Sequence, residues 1–122
     1  MNTNRKHFKA FKAAASEWAD KLGLSDWSLH YYHEDMGDDD RAPIATCKSD
    51  SQGRVATITL NIYWPEHLAL TNEELSRVAF HELGHVLLAE LVWLANNRIC
   101  TDGLLTQAQH SVIRRLERLQ FS

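Results

Sequence analysis

The sequence predicts an α+β fold: an N-terminal helix, a small three-stranded and mainly antiparallel sheet, a central helix that carries the chemistry, and a C-terminal helix. Three observations carry this. Apolar residues recur every three or four positions in residues 4–22 and again from residue 75 onward, which is helical periodicity. Between these stretches, residues 27–34, 44–50 and 55–64 are rich in aromatic and β-branched side chains with two-residue alternation, which is the strand pattern. The chain of 122 residues, 44% hydrophobic and 24% charged, is long enough for one modest core, so a single domain over residues 1–122 is expected.

In the first helix Phe8, Phe11, Ala15, Trp18 and Leu22 fall on one face, and Gly23 supplies the stop. WSLHYYHE, residues 27–34, is the first strand. MGDDDRAP follows as a loop, because its charge, Gly37 and Pro43 oppose regular structure. IATCKSD and VATITLNIYW are the second and third strands, joined by a hairpin turn at DSQG. In the third strand Ala56, Ile58, Leu60 and Ile62 alternate with Val55, Thr57, Thr59 and Asn61. One face is apolar and the other largely polar, as in a half-buried or edge strand.

The second helix is announced by TNEE, where Thr71 and Glu74 have the spacing of a capping box. From Leu75 to Leu94 its apolar residues cover almost the whole circumference, which marks a central helix packed on several sides. NNRICTDG breaks it, and LLTQAQHSVIRRLERLQF forms the last amphipathic helix, with Leu105, Val112, Leu116 and Leu119 as its seam.

Composition narrows the function. A net charge of -3, with the basic residues spread along the chain, leaves no electrostatic footprint for nucleic acid. The N-terminus lacks the apolar stretch of a secretory signal, and no segment has the roughly 18 consecutive apolar residues of a membrane span. The expected setting is the cytoplasm, with no nucleic-acid or membrane partner and an open oligomeric state. Cys47 and Cys100 are far apart and fit no zinc-knuckle or CxxC spacing, so they read as buried free thiols.

The chemistry lies in HELGH, residues 81–85. A helix brings His81 and His85, at i and i+4, onto one side and one turn apart, where both imidazoles can reach one metal ion. Zinc is the natural occupant. Glu82 lies one position round the helix, displaced from the metal but placed to hydrogen-bond a water on it. The ion lowers the pKa of that water, the carboxylate takes its proton, and the hydroxide attacks a polarised carbonyl. In so apolar a helix an unpaired carboxylate costs several kcal/mol or stays neutral, and a metal with its water relieves that cost.

HELGH is the signature of zincin metallopeptidases, and strands followed by an active-site helix and a further helix resemble the minimal zincin domains of small bacterial and phage proteins. The close likeness covers His81 to His85; over residues 27–121 it is one of element order. The resemblance implies a peptidase acting on a peptide or protein substrate, with Zn2+ as cofactor. It also implies an edge strand lining the cleft, a place that VATITLN would take, and a small residue at Gly84 so that a neighbouring strand can approach closely.

Catalytic zinc usually takes three protein ligands. VLLAEL follows the motif, so the extended pattern with a third histidine is missing. The next helix offers His110, which has the right chemistry, with Gln109, Glu117 and Asp102 as alternatives. Metal ligands are therefore expected at His81, His85 and His110, with Glu82 as general base. A second reading is a zincin-like binding or regulatory protein without efficient catalysis, and a third is a metal-free helix with two packed histidines. Other features have plain explanations. His30 and His33 point to opposite faces of a strand, His7 and His67 are solvated, and the run Asp38 to Asp40 lacks the ligand alternation of a calcium loop. Tyr31, Tyr32 and Trp64 could flank a cleft but as strand aromatics read first as core, and RRLER reads as the wet face of the last helix.

Overall fold

The computed structural model describes residues 1–97 and 100–121 and has the order α1 (Arg5–Lys21), β1 (Ser28–Glu34), β2 (Ala45–Asp50), β3 (Val55–Asn61), α2 (Asn72–Ala95) and α3 (Asp102–Phe121). The α+β layout follows the sequence pattern. Of the break between the last two helices, Arg98 and Ile99 lie outside the described residues.

The helix ends are set by local chemistry. Asn4 caps α1 by accepting from the His7 backbone N–H at 3.0 Å, while the His7 Nδ1 accepts from the Asn4 backbone N–H, also at 3.0 Å. His7 is thus part of a reciprocal capping box and not simply solvated. At the other end Gly23 takes the left-handed conformation (φ 69), and the Leu24 N–H reaches back to the Ala19 carbonyl at 2.9 Å, closing a Schellman turn. Thr71 caps α2 by accepting from the Glu74 N–H at 3.2 Å. Thr101 does the same for the Leu104 N–H of α3.

The sheet departs from the expectation. Its order is β1-β3-β2, with β2 antiparallel to β3 but β1 parallel to β3. It is therefore mixed, and β3 is its central strand and not an edge. Ala56, Ile58 and Leu60 on one face of β3 are fully buried, and Thr59 and Asn61 on the other face are buried as well. The polar face is covered because Asn61, 1% exposed, gathers the loop after β1. Its Oδ1 accepts from the N–H groups of Met36 (3.0 Å) and Tyr63 (3.2 Å), and its Nδ2 donates to the carbonyls of Gly37 and Pro43, both at 2.9 Å. In the β2–β3 turn the residue with positive φ is Arg54 (φ 55), not Gly53. The Arg54 guanidinium pairs with Asp26 (3.3 Å) and Glu90 (3.9 Å), tying the hairpin to α2.

The core is formed by α1, the inner face of β3, and α2, with Phe11, Leu22, Ile58, Leu60, Leu75 and Leu83 among its fully buried side chains. α2 packs against α1, β2 and α3, which accounts for the buried part of its apolar circumference. α2 is long and apolar enough to cross a membrane by length and hydropathy alone, but only a third of its most apolar stretch is buried inside the fold, and Leu88 and Val92 stay exposed. α3 buries only Ala108. Its inner seam runs through Leu105, Ala108, Val112, Arg115 and Leu119, whereas Leu116, expected on that seam, is 44% exposed. Arg115 replaces it because its Nε donates to the carbonyl of Gly23 at 3.3 Å, so one member of RRLER faces inward.

Candidate metal centre

The helical spacing in α2 places His81 and His85 one turn apart, with ring centroids 5.1 Å apart and planes at 78°. One ligand atom from each of His81, Glu82 and His85 lies within 4.8 Å of the other two. Both histidines are exposed, while Glu82 is 6% exposed. Among the described residues this is the group that can hold a metal ion.

Glu82 is the unusual member. No described residue hydrogen-bonds its carboxylate, yet among the described residues no polar side-chain atom is both sealed from solvent and unbonded. Its oxygens therefore reach the surface through a narrow opening. Burial pushes its pKa up, and the two imidazoles, His85 and then His81, pull it partly back. Two imidazole nitrogens and a carboxylate oxygen suit a first-row divalent ion such as zinc. A buried carboxylate without a donor is stabilised by a cation beside it. The residues present therefore fit a metal ion.

His110 lies on the exposed side of α3 and is not in this group. It follows Ala108, which faces α2, by two residues, or about 200° of helix. Gln109, Glu117 and Asp102 are also exposed and outside the group. The third-ligand position expected from α3 is thus not formed in this arrangement.

Two expectations about the walls of the site change as well. Because β3 is central, the edge strand packed against α2 is β2. A Cβ built on Gly84 would meet nothing within 4 Å, so no strand approaches there and the space beside the two histidines is open. Sequence reasoning also missed Cys47. It pairs with Ile58 in the β2–β3 ladder, and burial followed by the charge of Glu82 raises its thiol to about 11. At neutral pH it is protonated, on the strand that packs against α2. Both cysteines are free and half-buried, where full burial was expected. The signal for Cys47 is its cross-strand partner, since directly paired residues share a face, but that requires knowing the pairing.

A cavity of about 650 Å3 lies elsewhere, between the loop after β1 and residues 61–67, and includes none of the three metal-centre residues. No family model, curated protein or solved structure matches this chain.

Proposed function

We propose that this protein is a zinc-dependent hydrolase, in the first instance a peptidase, in which His81 and His85 hold the ion and Glu82 is the general base. The observation that carries the reading is a buried carboxylate with no hydrogen-bond donor among the described residues, next to His81, three residues before His85 and within 4.8 Å of both exposed imidazoles. The ion, when bound, supplies Lewis acidity that polarises a carbonyl and acidifies water. Glu82 accepts the proton of the attacking water and returns it to the leaving amine. Its raised pKa brings it closer to the working range of a general base. The neutral Cys47 thiol keeps a second negative charge away from that carboxylate. Edge strand β2 offers unpaired backbone groups with which an extended peptide can pair.

The test is to load wild type and Glu82→Gln with zinc and follow cleavage of a denatured protein or peptide mixture. The amide should keep the metal and lose at least about a hundredfold in rate, the lower range of general-base contributions. Equal cleavage by both proteins would remove Glu82 from the mechanism. A second reading, a metal-binding protein without turnover, is favoured because among the described residues nothing beyond His81, Glu82 and His85 joins the group, so a third ligand would have to be Glu82 itself. It predicts zinc uptake by both proteins and cleavage by neither.

A further inference from the structure

Beyond the metal centre, α2 carries a stripe that packs on the core at Val78 and is exposed from His81 onward. Val78, His81, His85, Leu88, Val92 and Ala95 follow one another at spacings of three, four, three, four and three, which is the a/d seam of a two-stranded coiled coil. At 100° per residue they fall within about 100° of the circumference. The four residues from His81 to Val92 are exposed, with Leu88 at 43% and Val92 at 57%. No Asp, Glu, Lys or Arg interrupts the seam. Gly84 flanks it with open space where a side chain would stand, which allows a second backbone to come close.

We propose that this face binds a second copy of the chain, α2 against α2 across a two-fold axis, with one zinc ion held by His81 and His85 of both copies. Three observations select this occupant. The 3-4 spacing fits another helix carrying the same seam, and the chain itself supplies one. Structural zinc is tetrahedral with four protein ligands, whereas each chain presents two imidazoles on this face, so two copies complete the set. The seam also spans fewer than the three to four heptads of a self-sufficient coiled coil. Its apolar residues alone do not hold the pair, and association depends on the metal.

Glu82, beside the imidazoles and unbonded, offsets the charge of the shared ion. With four imidazoles on the ion no position remains for water, so the pair is the closed form and the single chain the open one. This inference rests on the metal-binding half of the proposed function and not on hydrolysis.

Sedimentation velocity combined with native mass spectrometry tests it on the full chain. The protein is stripped with chelator and then given half an equivalent of zinc chloride. The expected result is a shift from 14.0 kDa to twice that mass with one zinc per two chains, reversed by chelator. His85→Ala should abolish the shift. Leu88→Lys, at an exposed position, should keep the far-UV circular dichroism and bind zinc while remaining a single chain. A single chain holding one zinc overturns the proposal and leaves the hydrolase reading standing. A double-mass species that survives chelation also overturns it. If no zinc binds, both the proposal and the hydrolase reading fail.

Discussion

Asn61 and Glu82 are both polar, both buried and both packed beside the same sheet, yet the fold treats them differently. Asn61 spends every donor and acceptor on backbone groups, three in the loop that covers the sheet and one at Tyr63 just after β3. Among the described residues Glu82 has no hydrogen bond, and it sits within 4.8 Å of two imidazoles. A buried polar side chain satisfied by its own chain is an architectural device. A largely buried carboxylate that the chain gives no donor is left to water or to a cation from outside the chain.

The largest effect that sharpens this contrast is expected at Asn61. Asn61→Ala strips partners from four backbone groups and should cost about 3 kcal/mol, read by urea denaturation. A loss below about 1 kcal/mol would break the architectural half of the comparison.

Metal binding should work in the opposite sense at Glu82. At a free zinc concentration 100 times Kd, linkage gives about 2.7 kcal/mol of stabilisation, seen as a rise in Tm that His81→Ala and chelator both abolish.

The metal-free protein should also reveal the cost of Glu82 through pH. Its folded pKa is raised, so its contribution to stability is greatest below the ordinary carboxylate pKa and is lost as pH rises through the folded value. Glu82→Gln removes that loss. The Tm of the variant should gain on wild type as pH rises from about 4, near the ordinary carboxylate pKa, to neutrality; parallel profiles would contradict the assignment.

The smallest effect is at Gly84. Gly84→Ala places a methyl in open space on an exposed helix face and should raise stability by about 0.5–1 kcal/mol, measured by thermal melting. A loss would mean that the space beside the histidines is not open.

The helices were legible because their determinants are local. The capping residue Thr71, the stop at Gly23 and the 3.6-residue period lie within a few positions of the structure they specify. The pairing of His81 with His85 was legible for the same reason, being a consequence of one helical turn. Strand order was not, because β1 pairs with β3 across an intervening strand and a hairpin, and alternation within a strand does not reveal its neighbour. That pairing turned VATITLN into the central strand and buried Asn61. On α3, hydrophobicity alone placed Leu116 on the seam, but a hydrogen bond to Gly23, 92 residues away, turned Arg115 inward. The same rotation of α3 decides where His110 points, and nothing local to LTQAQH encodes it.

The most direct test of the central claim is the zinc content of untagged protein by inductively coupled plasma mass spectrometry, comparing wild type, Glu82→Gln and His81→Ala after zinc loading and desalting. The metal-centre account expects wild type and Glu82→Gln to retain zinc at a fixed ratio to protein and His81→Ala to lose it. Equal zinc in all three, or none in any, would contradict it.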